Sequence, residues 1–118
     1  MPDRVLIVDD HAGFRGVVRR LLQEIGKVVV GEAGTGAEAL SEARRLKPDL
    51  VLLDVQLPDL DGLAVARSLS SDPDPPSVVL VSSRDAADYG TRLNGSGALG
   101  FIAKADLSAE SLTALLGA

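Results

Sequence analysis

Residues 51–62 read VLLDVQLPDLDG, and this stretch decides the fold. Val51, Leu52 and Leu53 continue an unbroken apolar run from Leu50. A short run without polar alternation is the pattern of a strand buried on both faces, as in a parallel sheet. The run closes on Asp54, and the proline, aspartate and glycine of the following QLPDLDG are turn residues. A hydrophobic core has no use for a carboxylate at that point. Asp54 therefore marks where a buried strand delivers a charged group to a loop.

Working outward, the same kind of apolar run recurs four more times. Arg4 to Val8 (RVLIV) and Val28 to Ala33 lie before it, and Val78 to Val81 and Ala98 to Ile102 after it. Between the runs the period changes. Phe14, Val17, Val18, Leu21, Leu22 and Ile25 recur at three- and four-residue steps, an amphipathic helix that Gly26 is placed to end. Thr35 is a suitable cap for a second helix, with Ala37, Leu40, Ala43 and Leu46 along one face and Pro48 as its stop. Leu60 to Leu69 reads as a third helix, with Asp61 available as its cap. The stretch SDPDPP is a polar loop. Asp85 to Leu93 reads as a weak fourth helix, since Asp88, Gly90 and Thr91 are poor helix formers. Ser108 can cap a last helix containing Leu112, Leu115 and Leu116, with Gly117 placed to end it. Strands separated by helices pair in parallel through right-handed crossovers. The expected fold is α/β, a single doubly wound five-stranded parallel sheet in a flavodoxin-like (βα)5 sandwich, with one domain over residues 1–118. Strand order 2-1-3-4-5 is expected by analogy with that fold class.

The bulk composition excludes several classes. The chain has 118 residues and no cysteine, so disulfides and thiolate metal sites are ruled out and a reducing compartment is expected. Its net charge is −5, from 12 basic and 17 acidic residues, a balance that repels nucleic acid and anionic lipid. The start, MPDRVLIVDD, has no secretory leader pattern. No apolar run approaches the ~20 residues of a membrane span. The cytoplasm is the expected location.

In a sheet of this kind, ligands bind outside the carboxyl ends of the strands. The first strand ends at Asp9 and Asp10, the third at Asp54, the fourth at Ser82 and Ser83, and the fifth near Lys104. Three converging carboxylates repel one another, and a divalent cation resolves the repulsion. An all-oxygen set suits Mg²⁺, with Mn²⁺ as an alternative. A carboxylate nucleophile beside a metal, a lysine and a hydroxyl describes a phosphoryl acceptor. Taken singly, each residue has a plainer reading. Asp9 or Asp10 would cap the first helix, Asp54 would start a turn, and Lys104 would be a surface lysine. His11, the only histidine, reads as a solvated loop residue, and Phe101 as packing. It is the joint placement at strand ends that points to chemistry.

At this point the sequence resembles the response regulator receiver domains of bacterial two-component systems. VLIVDDH at 5–11, LVLLDVQLPDLDG at 50–62, VVLVSSR at 78–84 and GALGFIAK at 97–104 carry the resemblance, in order and over essentially the whole chain. It implies that Asp54 accepts the phosphoryl group, that Asp9 and Asp10 organise Mg²⁺, and that the Gln56 carbonyl is a further metal ligand. Ser82 matches the hydroxyl residue that swings toward the phosphoryl group, Phe101 the aromatic switch, and Lys104 the site lysine. The implied donor is the phosphohistidine of a sensor histidine kinase. The chain would thus be a signalling phosphoacceptor rather than an enzyme, capable at most of self-phosphorylation from small phosphodonors and self-dephosphorylation. The GFIAKADLS stretch is similar to the subfamily often linked to helix-turn-helix output domains. This chain stops without a basic helix, and the expectation is a stand-alone receiver, monomer or weak homodimer. It would signal to a downstream protein and not bind nucleic acid itself.

The sequence departs from the family pattern in places. Many members have a cis-proline after the lysine; here the pair is Lys104-Ala105, for which trans is expected. Phe101 lacks the hydroxyl that many members carry. Gln56 and Arg84 occupy positions that flank the phosphoryl group. Three other readings compete with this one. A haloacid dehalogenase-type phosphatase resembles D-x-D-x-T, but Gln56 stands where its acid/base aspartate would be. A flavodoxin-like flavin binder needs a phosphate loop where Asp9-Asp10-His11 would repel phosphate. The third is a docking module that works without phosphorylation.

Overall fold

The computed structural model describes residues 3–116. Its strands are β1 (Arg4–Val8), β2 (Val28–Ala33), β3 (Leu50–Asp54), β4 (Ser77–Ser82) and β5 (Gly100–Ala103). They form one parallel sheet in the order β2-β1-β3-β4-β5. The helices are α1 (Ala12–Glu24), α2 (Gly36–Leu46), α3 (Gly62–Ser70) and α4 (Ala109–Leu116). The order of pairing reverses between β1 and β3, which lie side by side with Val8 opposite Leu53. That register sets the carboxyl ends of β1 and β3 next to each other, and Asp54 itself pairs with Val81 of β4.

Because side chains alternate across a strand, the sheet feeds two cores. Leu6, Val8, Val51, Leu53, Val78 and Leu80 pack with Ala39, Leu63, Ala66 and Leu69 of α2 and α3. Val5, Ile7, Leu50, Leu52, Val79 and Val81 pack with Val18, Leu22 and Leu112 of α1 and α4. Burying each such leucine or valine contributes ~1.5–3 kcal/mol. This two-sided burial explains why the strands read as unbroken apolar runs.

The helix ends follow local chemistry. Thr35 Oγ1 accepts from Glu38 N, Asp61 from Leu63 N, and Ser108 Oγ from Ser111 N. Gly26 adopts φ +81° just after α1. Lys47 closes α2 in the left-handed region, and the Arg4 guanidinium donates to the carbonyls of Leu46 and Lys47 at 2.8 and 2.7 Å, so the open carbonyls of that helix end are met. The Gly117 expected to end the last helix lies outside the described residues.

One expected element differs. The crossover between β4 and β5 holds no α-helix. It is three short 3₁₀ turns, Ala86–Asp88, Gly90–Arg92 and Asn94–Ser96. Gly90 at φ +57° breaks the first turn from the second, and Gly97 at φ +78° ends the third. Asp85 and Asp88 form a reciprocal cap that closes a single tight turn. With poor helix formers at Asp88, Gly90 and Thr91, i→i+3 bonding wins over a continuous helix. There are therefore four α-helices among the described residues, not five.

Candidate functional site

The carboxyl ends of β1, β3 and β5 bring Asp9, Asp54 and Lys104 into one cluster. Asp9 is fully buried and Asp54 is 4% exposed. The Lys104 ammonium lies 2.6 Å from Asp9 Oδ2 and 3.3 Å from Asp54 Oδ2, serving two carboxylates at once. It also sits 4.3 Å from the centre of the Phe14 ring on α1, which shields it from water and adds a cation–π attraction. Burial alone would lower the Lys104 ammonium, but Asp9 and Asp54 override it and hold it above its ordinary value. Burial pushes the Asp54 carboxyl up, with the Asp9 charge adding to it; the Gln56 N–H and Lys104 oppose. Asp54 is thus a carboxylate with little hydration, held against one cation.

Backbone and loop packing fix its direction. Asp54 Oδ1 accepts from Gln56 N at 3.0 Å, and Val55 N extends the ladder to Val81 O. Gly62 N donates to Val55 O at 2.8 Å, drawing the loop back over the strand end. A Cβ on Gly62 would lie 2.2 Å from Asp54 O and 2.6 Å from Val55 Cα, so only glycine allows this approach. Asp59 ties the loop to the start of α2, accepting from Gly36 N at 2.7 Å and Ala37 N at 3.0 Å, and those bonds hold its carboxyl below its ordinary value. Gln56 is exposed at the mouth of the cluster.

The second arm is the loop Asp9-Asp10-His11. Neither aspartate caps α1; the N-cap is His11, without a side-chain bond. Asp9 Oδ1 instead accepts from His11 N at 2.8 Å, which turns Oδ2 into the cluster. The Lys104 ammonium, 2.6 Å away, meets that buried Oδ2. Asp10 is at the rim, and His11 Nδ1 lies 3.0 Å from Asp10 Oδ1 and 3.4 Å from Asp9 Oδ1. Ligand atoms of Asp9, Asp10 and His11 all fall within 4.8 Å of one another. A buried carboxylate beside a second one at the rim is an oxygen donor set that fits a hard divalent cation. His11, expected to be solvated, is 73% exposed yet adjoins this group.

The family model for the response regulator receiver domain matches residues 5–116. The chain belongs to the response regulator receiver family. Over 114 residues this receiver is 43% identical to the response regulator GacA of Pseudomonas syringae pv. syringae, an overlap of 95% of this chain and 53% of that protein. The chain spans about half the length of the curated relatives it matches. Its fold superposes on a LuxR-family two-component response regulator from Aurantimonas sp. SI85-9A1 with a TM-score of 0.89 and 27% identity, over 99% of this chain and 84% of that one. The response regulator domain of Thermotoga maritima CheB gives a TM-score of 0.85 and 30% identity, over 100% and 96% of the two chains.

Two expected members of the receiver site, Ser82 and Phe101, are not among the hydrogen-bond or ion-pair partners of Asp54. The Ser82 hydroxyl is fully buried and 2.5 Å from the Tyr89 hydroxyl, while Arg84 N donates to it at 3.1 Å. Phe101 is half-buried, with its ring centre 5.9 Å from that of Tyr89. The Lys104-Ala105 bond is trans, no described peptide bond being cis. Sequence reasoning missed three neighbours. In the sequence Phe14 reads as part of the apolar face of α1, and Tyr89 lies within the expected weak helix. Arg15 was not singled out; it donates to the Asp9 carbonyl at 2.5 Å while Glu32 fixes its guanidinium at 2.9 Å. Their positions in the sequence gave no signal, since each acts through a contact between separate elements. A cavity of about 550 Å³ lies at the amino-terminal ends of β3 and β4, lined by Arg44, Lys47, Asp49, Pro73 and Ser77 among others, and shares no residue with this cluster.

Proposed function

We propose that this receiver accepts a phosphoryl group on Asp54 and relays its presence to a protein partner. The observation that carries the reading is the buried Asp54 carboxylate held by a lysine that also pairs with Asp9. A weakly hydrated carboxylate is a better nucleophile than a solvated one. An Asp54 oxygen attacks the phosphorus of a phosphohistidine on a sensor histidine kinase. The P–O bond forms as the P–N bond breaks, and the imidazole leaves with the bonding electron pair and takes a proton. Lys104 is placed to balance charge on the transferred oxygens. Asp9, Asp10, Asp54 and the Gln56 carbonyl would hold Mg²⁺, with Mn²⁺ as an alternative. When bound, that ion supplies charge neutralisation for the phosphoryl oxygens.

Ser82 and Phe101 report the modification outward, Ser82 by turning its hydroxyl toward the phosphoryl group and Phe101 by repacking. The chain acts as a signalling phosphoacceptor domain over residues 1–118, monomeric or weakly dimeric. With a net charge of −5 it does not itself hold nucleic acid. No described helix is long and apolar enough to cross a membrane, and the reading places the chain in the cytoplasm, where the kinase's phosphohistidine is.

Intact mass after incubation with acetyl phosphate tests this. The expected result is a gain of one phosphoryl group in wild type with Mg²⁺, none without it, and none in Asp54→Asn. No gain in wild type, under conditions that label another receiver, would overturn the reading and leave a docking module that works without phosphorylation.

A further inference from the structure

The Ser82 hydroxyl is already engaged. It is fully buried, 2.5 Å from the Tyr89 hydroxyl, and accepts from Arg84 N. Either hydroxyl of the pair can be the donor, and in both cases the bond sets the direction of Ser82 Oγ. In this arrangement both hydrogen-bond partners of Ser82 Oγ, the Tyr89 hydroxyl and Arg84 N, lie on the β4–β5 crossover, and none is Asp54. Tyr89 is held in turn: its ring packs at 56° against Phe101, and Arg92, three residues on, pairs with Asp61 at the start of α3. The crossover that carries both residues is three 3₁₀ turns of mostly exposed residues. Such a segment is cheap to rearrange, so a partner presented from it can be withdrawn.

We propose that Tyr89 is a positioning residue that holds the Ser82 hydroxyl away from Asp54, so that Ser82 engages the phosphoryl group only once the Ser82–Tyr89 bond is broken. This rests on Asp54 being the phosphoacceptor. Tyr89 sets how readily Ser82 reaches the phosphoryl group, and its ring carries the same event to Phe101. Removing its hydroxyl while keeping the ring releases Ser82. If Ser82 engages the phosphoryl group in the transition state, uptake speeds up; if only in the product, hydrolysis slows. In both cases the ratio of the uptake rate to the hydrolysis rate rises, by about threefold to tenfold for one neutral hydrogen bond.

The test measures that ratio by intact mass, with acetyl phosphate and Mg²⁺, in wild type, Tyr89→Phe, Ser82→Ala and the double variant. The expected result is a raised ratio in Tyr89→Phe and no effect of the same substitution in the Ser82→Ala background. Fluorescence supplies a readout that a merely structural role would not move. Tyr89 is the only tyrosine and the chain has no tryptophan, so ultraviolet emission reports this one phenol. Emission should change on phosphoryl uptake in wild type and stay constant in Ser82→Ala. An unchanged ratio in Tyr89→Phe, or an equal rise in the Ser82→Ala background, overturns the inference while phosphoacceptance stands. Absence of uptake in wild type overturns phosphoacceptance and the inference with it.

Discussion

Replacing Gly62 by alanine adds one carbon at the point where the loop closes over Asp54. The added Cβ would lie 2.2 Å from Asp54 O, 2.6 Å from Val55 Cα and 2.8 Å from Val55 O. All three atoms are backbone, and Val55 O also accepts the Gly62 N–H at 2.8 Å. No rotamer change relieves this clash, so the strand end or the first turn of α3 must move. Overpacking that side chains can absorb costs ~1–3 kcal/mol, and a backbone clash belongs at the upper end. Alanine recovers at most ~1 kcal/mol of helix propensity, and less at the first position of a helix. The net expectation is a loss of about 2–3 kcal/mol. At roughly 4 °C per kcal/mol for a domain of this size, Tm falls by about 8–12 °C.

Gly16→Ala is the matched control. Gly16 lies inside α1, and a Cβ there meets nothing within 4 Å. The same substitution should stabilise by ~0.5–1 kcal/mol. Guanidinium unfolding followed by far-ultraviolet circular dichroism measures both. The misplaced loop should also slow phosphoryl uptake in Gly62→Ala beyond what unfolding explains. A Gly62→Ala protein as stable as wild type would refute the reasoning that close packing against the Asp54 peptide fixes this loop.

Two further outcomes follow from the same structure. Burial, with the Asp9 charge, raises the Asp54 carboxyl, so its ionised form costs stability above its folded pKa; that cost fades as pH falls toward the ordinary value of 3.8. Asp54→Asn should therefore be more stable than wild type at pH 7, with the gap closing in acid, and a gap that widens in acid would contradict the assignment. The crossover over residues 85–97 should exchange its amide hydrogens far faster than β1, β3 and β4, since it has 3₁₀ turns and mostly exposed residues; protection equal to that of those strands would remove the basis for its rearrangement.

The element order was legible because each element is written in local periodicity. RVLIV and LVLL are buried on both faces, and Thr35, Asp61 and Ser108 cap the helices they precede. The crossover reads in the sequence as a weak helix, because its propensities nearly balance. Only the bonds actually formed, with Gly90 and Gly97 at positive φ, choose three short turns.

The sequence by itself determined the strands, their parallel pairing and the placement of Asp9, Asp54 and Lys104 at strand ends, since alternation of strand and helix forces those ends to one edge. Only the tertiary structure decided which atoms meet there. Lys104 bridges two carboxylates while covering Phe14, Arg15 grips the Asp9 carbonyl, and Ser82 turns to Tyr89. Each of these is set by loop path and rotamer between elements far apart or irregular in the chain, and no local pattern encodes a rotamer chosen by its neighbours.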